Sequence, residues 1–305
     1  MTAGWEKLGR LYCPQGTGRH PKLLTHAANP LPVLIEGDVY RVFFSGRDDR
    51  KRSSVGAVDI DIVRRQIVQE HPTPVFDHGP EGSFYADGVS IGNCYETADG
   101  KYMLFMGWQN PADAHWRGEI GRLAMAEDLS LALAEQHPFM PLGPRDALSL
   151  SYPWVARELH GFSMWYGSTL TWDGGNGEMV HVINRAASQD GEQWRRCGLA
   201  VPYVLGQAQA FSRPTVAVDQ QGYHMWFSYR SGGGQTYRIG YAASDDGADW
   251  ELRLEDAGID VASEGWDSEM IEYPFVFEHK GLRYMLYNGN GYGASGFGLA
   301  VQGDA

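Results

Sequence analysis

The sequence predicts an all-β protein, a five-bladed β-propeller built of four-stranded antiparallel blades. Three observations support this fold class. Short apolar or alternating runs are separated by turns rich in Gly, Pro, Asn and Asp, a pattern typical of antiparallel strands. A unit of about sixty residues recurs along the chain. Finally, the amino-terminal run looks like the fourth strand that the last unit lacks.

The repeat is clearest at residues 213–252. There an apolar run after a Pro, an aromatic-rich run and a third alternating run are joined by Gly turns, and an S-D-D-G-A-D-W turn leads into a fourth run. The residues that open each first strand are Pro30, Gly88, Pro153, Pro214 and Pro274, separated by 58, 65, 61 and 60 residues. We therefore predict one domain over 1–305, with blades at about 25–80, 81–145, 146–205, 206–262 and 263–305, the last joined by 1–13.

The second and third strands of each repeat share a simple pattern. Aromatic-rich second strands are predicted at 39–47, 101–108, 161–168, 223–230 and 282–290. Third strands are predicted at 55–60, 120–126, 181–188, 238–244 and 296–302. The alternating aromatics of the second strands, such as Phe43 and Trp226, are expected to form the core between blades.

The chain ends predict how the ring closes. The fifth repeat stops after its third strand, at about Gln302, while residues 5–11 resemble the fourth-strand openings at 194–199 and 250–254. A strand at about 5–11 would complete the last blade and cover a sheet edge. The alternative is a frayed tail with a chance Trp.

Composition narrows the class of partner. The formal net charge is −13, and nucleic acid or an anionic membrane surface would need a basic footprint. Cys13, Cys94 and Cys197 are widely spaced, which favours reduced thiols over a disulfide framework or a zinc site. No run of eighteen apolar residues or signal-peptide pattern is present. We therefore expect a cytoplasmic protein without metal or cofactor, and leave its oligomeric state open.

Two turns carry a recognisable motif. Residues 188–194 (S-Q-D-G-E-Q-W) and 244–250 (S-D-D-G-A-D-W) resemble the Asp-box of sialidase propellers, with one residue fewer between Asp and Gly. We interpret them as structural turns, in which Asp caps backbone N–H groups and Trp seals the outer strand. A six-bladed sialidase is the alternative, but five repeats argue against it.

A site is predicted where the first strands converge, because only there do all repeats face one funnel. The residues just before the five anchors are Asn29, Asp87, Tyr152, Arg213 and Tyr273. The residues one position earlier are Ala28, Ala86, Ser151, Ser212 and Glu272. Repetition alone does not explain why one column holds Asn, Asp, Arg and Glu. Different ionisable residues at equivalent positions indicate a functional site.

The repeat length and the motifs Asn29-Pro30, Asp87-Gly88 and Glu272-Tyr273-Pro274 resemble the five-bladed propeller glycoside hydrolases of families 43, 62, 32, 68 and 117 and the mannoside phosphorylases of family 130. In family 43 an Asp before a first-strand Pro acts as general base, and a Glu in an E-x-P context three blades later acts as general acid. Glu272 matches the acid. Asn29 stands where the base is expected, whereas Asp87 has the matching offset three blades from Glu272. Arg213 takes the place of a third aspartate.

This resemblance implies a glycoside hydrolase-like enzyme that acts on a small glycoside or an activated or anionic sugar. Glu272 would then be the acid and Asp87 the base or nucleophile, since glycoside hydrolysis needs two carboxyls in different environments. Other candidate substrate contacts were chosen from the column, from neighbouring carboxylates, from basic residues near the funnel and from loop tryptophans. They are Asn29, Tyr152, Arg213, Asp267, Glu269, His26, Arg47, Trp108 and Trp172.

Alternatives remain at this point. The reaction could be transfer, phosphorolysis or a rearrangement in glycan or natural-product biosynthesis, and the protein could be a non-catalytic sugar-binding propeller. Asp87 and Glu272 could instead pair with Arg213 or cap backbone groups. Each loop Trp could cover the core rather than stack on a sugar.

Overall fold

The computed structural model describes residues 4–14 and 18–303. Regular structure in these residues is almost entirely strand, and the helical segments among them are two short 3-10 turns, Pro21–Leu23 and Leu254–Ala257. Within the described ranges no helix is long and apolar enough to cross a membrane. The predicted domain limits 1 and 305 lie outside the described residues.

The strands pair antiparallel in consecutive groups of four. The amino-terminal strand β1 (Trp5–Tyr12) belongs to the last of these groups. The first group consists of β2 (Thr25–Glu36), β3 (Val39–Arg47), β4 (Ser53–Asp61) and β5 (Gln66–Phe76). The second consists of β6 (Gly88–Glu96), β7 (Lys101–Gln109), β8 (Arg117–Met125) and β9 (Leu131–Leu133).

The remaining strands repeat this order. The third group consists of β10 (Leu150–Glu158), β11 (Gly161–Thr171), β12 (Val180–Ser188) and β13 (Arg195–Leu199). The fourth consists of β14 (Ala210–Asp219), β15 (Gly222–Arg230), β16 (Arg238–Ser244) and β17 (Glu251–Leu252). The fifth consists of β18 (Glu272–His279), β19 (Leu282–Asn288), β20 (Phe297–Gln302) and β1.

The first strands of the groups contact one another in sequence. Strand β2 contacts β6, β6 contacts β10, β10 contacts β14 and β14 contacts β18, and β18 in turn contacts β2. Single parallel pairs also join neighbouring groups, Ser53 with Gly88 and His181 with Ala210. The first strands therefore surround a common centre, an arrangement typical of propeller-like folds.

The aromatic residues of the second strands lie in the core. Phe43, Phe44, Trp165 and Trp226 are each at most 1% exposed, and they belong to two packed clusters of buried residues. The prediction for these side chains is therefore confirmed. Burial of such large rings provides much of the driving force for packing neighbouring sheets together.

The two Asp-containing turns have the predicted capping geometry. One carboxylate oxygen of Asp190 accepts hydrogen bonds from the N–H groups of Glu192 and Gln193, and Asp246 accepts equivalent bonds from Ala248 and Asp249. The Trp250 ring packs edge-on against Trp165, 5.9 Å between centroids. These turns are thus structural, because their carboxylates satisfy backbone donors.

The outer strand β1 pairs with β20 as the sequence predicted. Trp5 lies opposite Gln302, and Tyr12 lies opposite Phe297. Two further contacts fix β1: the Trp5 ring meets Trp226 at 5.6 Å, and Lys7 forms an ion pair with Asp267 at 2.8 Å. The pairing covers the backbone edge that β20 would otherwise expose.

Four of the first strands are interrupted by a bulge at the residue before a proline. In β2, β10, β14 and β18 the pairing register shifts at this point, and the bulged residue has positive φ. These residues are Asn29 (56°), Tyr152 (35°), Arg213 (48°) and Tyr273 (53°). A left-handed backbone re-aims a side chain and stores strain for a non-Gly residue.

The second group departs from this rule and corrects the predicted register. Phe43 and Phe105 are each the fifth residue of their strand, and they lie opposite Leu31 and Ile91. Val89 and Ser90 therefore take the places of Ala28 and Asn29, while Asp87 lies two residues earlier, just before β6 begins. The predicted column with Asp87 was wrong, because no proline marks this strand and Gly88 was taken in its place.

Gly88 has another reason to be glycine. A Cβ atom at this position would lie 2.4 Å from the indole ring of Trp108 and 2.2 Å from the Ser53 hydroxyl. The residue is small because Trp108 and Ser53 pack against its backbone, and Ser53 also receives the Trp108 indole N–H at 3.2 Å. Gly88 thus reports a close side-chain approach and not the start of a repeat.

Candidate functional site

A cavity of about 290 Å³ lies where the first strands approach one another. Its walls come from several groups: Asn29 of β2, Arg47 of β3, Ser90 of β6, Tyr152 of β10 and Tyr273 of β18. Three of these five, Asn29, Tyr152 and Tyr273, are the strained residues before prolines. The bulges therefore direct polar side chains into one space, as the convergence of the repeats predicted.

Glu272 is buried beside this cavity. Its side chain is fully buried, and neither carboxyl oxygen has a hydrogen-bond partner among the described residues. Burial raises the pKa of the Glu272 carboxyl well above its ordinary value, although Arg47, Arg230 and the Tyr273 hydroxyl act in the opposite direction. Burial disfavours the charged form of a carboxyl and so favours the protonated form, which is a proton donor.

Two tyrosines connect Glu272 to the cavity. Tyr273 follows Glu272 in the chain and lines the cavity, as does Tyr152. The Tyr152 hydroxyl donates to that of Tyr273 at 3.4 Å, and the two rings lie 5.3 Å apart. Burial raises the pKa of both phenols, and the Glu272 charge reinforces this shift. Glu272 does not itself line the cavity, whereas Tyr152 and Tyr273 do. Any action of Glu272 on a ligand in the cavity would therefore pass through these hydroxyls.

Two arginines act electrostatically on Glu272, and they differ in their own partners. Arg230 is paired with Glu178: its Nε lies 2.8 Å from Oε2, and Nη2 donates to Oε1 at 3.0 Å. Arg47 lines the cavity and forms no ion pair with any residue in the described ranges. Lys51 lines the same cavity and is likewise unpaired within that part of the chain.

Tryptophans form another part of the wall. Trp108 and Trp116 line the cavity, whereas Trp172 does not. Trp172 stacks on His115, 4.5 Å between centroids, and meets Trp116 edge-on at 5.2 Å. Of the two tryptophans predicted to bind a sugar, Trp108 is thus in place, and Trp172 supports Trp116 from outside. Flat rings at a cavity wall are suitable surfaces for a sugar ring.

Asp87 lies in a neighbouring cavity and not with Glu272. This second cavity, of about 450 Å³, is lined by Asp87, Arg50 and Glu81 among others. Asn110 lines both cavities and donates its backbone N–H to Asp87 Oδ2 at 2.8 Å. The structure therefore does not bring Asp87 and Glu272 into one cavity, and Asn110 stands between their two environments.

Arg213 is committed to the backbone. Its side chain is 2% exposed, and it donates to the carbonyl oxygens of Tyr273 at 2.7 Å and Pro30 at 2.8 Å. Its guanidinium also lies 5.5 Å from the centre of the Phe275 ring. Burial lowers the pKa of Arg213 to about 9. The predicted contact with substrate is corrected, because Arg213 does not line the cavity and holds two strained first strands together instead.

The two further carboxylates predicted for the site lie elsewhere. Asp267 accepts hydrogen bonds from Lys7 at 2.8 Å and from the Tyr287 hydroxyl at 3.0 Å, so it anchors β1 to the fifth group. Glu269 is exposed and does not line the cavity. Neither residue lines the cavity, although both are near Glu272 in the sequence, and their contact with a substrate stays a prediction.

His26 lies beside Arg47 but outside the lining of the cavity. Its Nδ1 is 2.9 Å from the Thr25 hydroxyl. Burial, with a smaller contribution from the Arg47 charge, lowers the pKa of His26 to about 4. The imidazole is therefore neutral near pH 7 and adds no positive charge to the site. In the described ranges, no set of three or more His, Cys, Asp or Glu side chains is arranged to hold a metal ion.

Several cavity residues escaped the predicted set. Ser90 was missed because the first strand of the second group was aligned three residues out of register. Lys51 belongs to the basic turn after β3, where only its composition gave a signal. Trp116 was recognised as one of the loop tryptophans that could stack on a sugar, but it was not chosen for the predicted set. Tyr273 was part of the predicted column, but the motif that includes Glu272 and Pro274 led us to assign the chemical role to Glu272 and none to Tyr273.

Comparison with known proteins gives both a family and a fold. No model of a known protein family matches the sequence. The chain is 42% identical over 299 residues to "Uncharacterized protein Rv1502" of Mycobacterium tuberculosis (strain ATCC 25618 / H37Rv), covering 97% of this chain and 98% of the relative. The same figures hold for "Uncharacterized protein MT1551" of strain CDC 1551 / Oshkosh.

Solved structures resemble the fold at low sequence identity. A structure titled "Glycoside hydrolase" matches with TM-score 0.75 at 14% identity, over 99% of this chain and 92% of the other. A family 130 structure, whose title names mannoside phosphorylases and glycoside hydrolases, matches with TM-score 0.72 at 12% identity, over 99% and 94%. Sucrose-6-phosphate hydrolase from Lactobacillus gasseri gives TM-score 0.59 at 13%, over 86% and 55%. The shared feature is the propeller-like fold of glycoside hydrolases.

Proposed function

The chain belongs to the same family as Rv1502 of Mycobacterium tuberculosis, and from its glycoside hydrolase-like fold and its buried acid we propose that it is a carbohydrate-active enzyme. The substrate is a small glycoside or an activated sugar that binds in the cavity beside Glu272. We also propose the finer architecture of a five-bladed propeller, in which each group of four strands is a blade and β1 closes the ring on β20.

The observation that supports this proposal most directly is the state of Glu272. A fully buried carboxyl with no hydrogen-bond partner and a raised pKa is a poor structural element, because burial without a partner costs free energy. It is well suited to general acid catalysis, which needs a carboxyl that stays protonated near neutral pH. Cleavage of a glycosidic bond requires such a donor to the leaving oxygen.

In this proposal the proton of the acid reaches the leaving oxygen through the Tyr273 hydroxyl. Tyr273 lines the cavity, and its hydroxyl acts on the Glu272 carboxyl as well as accepting from Tyr152. In the proposed step the Tyr273 O–H protonates the oxygen that leaves the anomeric carbon, and Glu272 returns a proton to the phenol. The C–O bond electrons go to that oxygen, while water, an acceptor hydroxyl or a phosphate oxyanion forms the new bond to the carbon. The proton that water or the hydroxyl loses passes to solvent, from which Glu272 is protonated again; a phosphate oxyanion attacks without losing a proton, and Glu272 then regains its proton from solvent.

The second carboxylate has a less direct place in this proposal. Asp87 lies across Asn110 from the cavity, in a space of its own. It remains our candidate for activating the attacking group only if the substrate spans both cavities. Asp87→Asn therefore tests whether the reaction uses two carboxylates, as hydrolysis does, or one acid.

The test is turnover of a panel of simple glycosides, sugar phosphates and nucleotide sugars by the protein and matched variants. We expect Glu272→Gln to lower turnover by about a hundredfold or more while still binding substrate, since an acid catalyst contributes about 10²–10⁴-fold. Tyr273→Phe should fall similarly. Glu269→Gln, an exposed carboxylate three residues from Glu272, is the control and should keep full activity.

Two results would contradict the proposal. Full turnover by Glu272→Gln would remove the acid from the mechanism. Sugar binding in the cavity without turnover of any substrate by the unaltered protein would identify a binding propeller instead. A crystal of Glu272→Gln soaked with the same panel separates these cases, because it shows whether a sugar occupies the cavity beside Tyr273.

A further inference from the structure

We infer that Arg47 and Lys51 form an anion subsite within the cavity, and that the substrate brings a phosphate or carboxylate group to it. The inference rests on the proposed function in one respect, that the cavity is where the sugar binds. It adds the chemical class of the substrate, an oxyanion-bearing sugar or a sugar that reacts with a free oxyanion, and the residues that recognise it.

The charge of the cavity is the first argument. The whole chain carries a formal net charge of −13, yet the residues that line this cavity include Arg47 and Lys51 and no Asp or Glu. A concave site lined by one sign of charge concentrates ligands of the opposite sign. In an acidic protein such a pocket is a local feature that the surrounding surface does not explain.

The missing counter-ion of Arg47 is the second argument. Arg230 and Arg47 both act on Glu272, but only Arg230 has its own carboxylate, Glu178, in a two-point contact. Arg47 has no ion pair in the described part of the chain. Glu272 is near enough for the Arg47 charge to act on it, but within the described residues its carboxyl oxygens form no hydrogen bond or ion pair with Arg47. A half-buried guanidinium without a carboxylate leaves its N–H donors for a planar or tetrahedral oxyanion.

The turn that carries Lys51 is the third argument. Asp48, the buried acidic residue of this turn, accepts the backbone N–H groups of Arg50 and Arg52 and pairs with the Arg52 side chain at 2.8 Å. Both carboxylate oxygens of Asp48 therefore have partners already, and Asp48 forms no ion pair with Lys51. Lys51 is an exposed residue with φ 66°, and it lines the cavity at this turn.

The experiment is calorimetric titration with named probes. Glucose, mannose and galactose are compared with their 1-phosphates, with glucuronate and with inorganic phosphate alone. The proteins are the unaltered chain, the double variant Arg47→Gln/Lys51→Gln, and the control Arg195→Gln/Lys101→Gln, which removes one arginine and one lysine that do not line the cavity.

We expect at least one anionic probe to bind about tenfold or more tightly than its neutral counterpart, and this preference to disappear in Arg47→Gln/Lys51→Gln but not in the control. Binding of inorganic phosphate alone with the same dependence on Arg47 and Lys51 would identify a free oxyanion as the source. Binding only of the sugar-linked forms would assign the anion to the sugar. Both results support the subsite.

Three results would overturn the anion subsite. The first is equal binding of charged and neutral probes, and the second is an anion preference that survives in Arg47→Gln/Lys51→Gln. The third is no anion binding at probe concentrations up to about 10 mM, where even weak binding would be detected. The same titrations in Glu272→Gln separate this inference from the proposed function. If Glu272→Gln still binds the anion and its turnover is unchanged, the catalytic role of Glu272 is rejected and the anion subsite is retained. If neutral glycosides are turned over equally well with and without Arg47, the anion subsite is rejected and the catalytic role is retained.

Discussion

The buried carboxyl of Glu272 shows how one residue can carry a cost that the fold does not need. Its two oxygens lack hydrogen-bond partners, whereas the buried carboxyl of Asp146 accepts from Tyr166, Ser168 and Asn184 and pairs with Arg196. The protein is thus able to satisfy a buried acid fully. Leaving Glu272 unsatisfied costs stability, which is the usual sign of a group kept for chemistry.

This cost predicts a pH dependence at the residue scale. The pKa of Glu272 is raised above the ordinary 4.5, so the folded chain binds more protons than the unfolded chain between 4.5 and the folded pKa. Stability from this group is complete below 4.5 and is lost as pH rises through that window. Relative to Glu272→Gln, the unaltered protein should lose up to about 1.4 kcal/mol per pH unit. Thermal unfolding measured across pH for both proteins checks this, and parallel curves would contradict it.

The sequence predicted single residues well where a side chain was the whole signal. Asn29, Tyr152, Arg213 and Tyr273 precede prolines, and all four proved to be bulged residues around one centre. The partners of Arg213 could not be predicted, because the carbonyl groups of Pro30 and Tyr273 exist at every residue and leave no mark in the sequence. The charge of Arg213 therefore predicted a contact with a ligand, whereas in the structure its side chain donates to backbone carbonyl groups.

At the scale of elements, the third group shows how its strands are joined beneath the cavity. His181 of β12 is 2% exposed, with Nε2 2.6 Å from the Ser151 hydroxyl of β10 and Nδ1 2.7 Å from the Thr169 hydroxyl of β11. One imidazole thus links three strands. Trp116 of the cavity wall lies against it, 5.7 Å between ring centroids. Burial lowers the pKa of His181 to about 3.

Acid should therefore weaken this group of strands. An imidazole with a pKa lowered from 6.5 to about 3 contributes stability above pH 6.5 that is lost as pH falls toward 3. Between these values the unaltered protein should lose up to about 1.4 kcal/mol per pH unit relative to His181→Gln. Denaturant unfolding at several pH values measures the difference, with the exposed His137→Gln as a control that should follow the unaltered protein. Equal pH slopes in all three would refute the assignment.

The whole molecule depends on contacts between the first and fifth groups. Asn288 of β19 is fully buried and accepts the Asn29 N–H at 2.9 Å, while its amide donates to the carbonyls of Ala27 and Gly296. On another part of this interface, His279 Nδ1 lies 3.0 Å from the Tyr40 hydroxyl. The links between Asn29 and Asn288 and between Tyr40 and His279 join residues that lie 259 and 239 positions apart in the chain.

Loss of Asn288 should weaken this interface more than an ordinary surface change would. Asn288→Ala leaves the Asn29 N–H and the Ala27 carbonyl without the partner that Asn288 provides, and it removes one of two bonds to the Gly296 carbonyl. We expect a loss of about 2 kcal/mol or more in unfolding free energy. Hydrogen exchange should rise in β2 and β18. Asn290→Ala, which removes side-chain bonds to the N–H groups of Glu269 and Met270 and to the carbonyl of Gly265, should leave exchange in β2 unchanged. Unchanged protection in Asn288→Ala would show that the two groups hold together by other means.

The repeat period predicted the order of strands over the whole chain because alternation and turn chemistry are local properties. The predicted second strand at 39–47 and third strand at 238–244 have the same bounds in the structure. The second group was misaligned because its first strand has no proline, and its register is decided by pairing with β7, which a linear pattern does not contain. Placement of Asp87 followed that error.

The pairing of β1 with β20 also dictates when this protein can finish folding. Trp5 lies opposite Gln302, so this pairing forms only when strands that are far apart in the sequence meet. Such long-range strand pairing is slow, because a long loop must close before the contact is made. Until β1 docks, the edge of β20 and the face of Trp226 that Trp5 covers lack this protection, and the partly folded chain is open to aggregation.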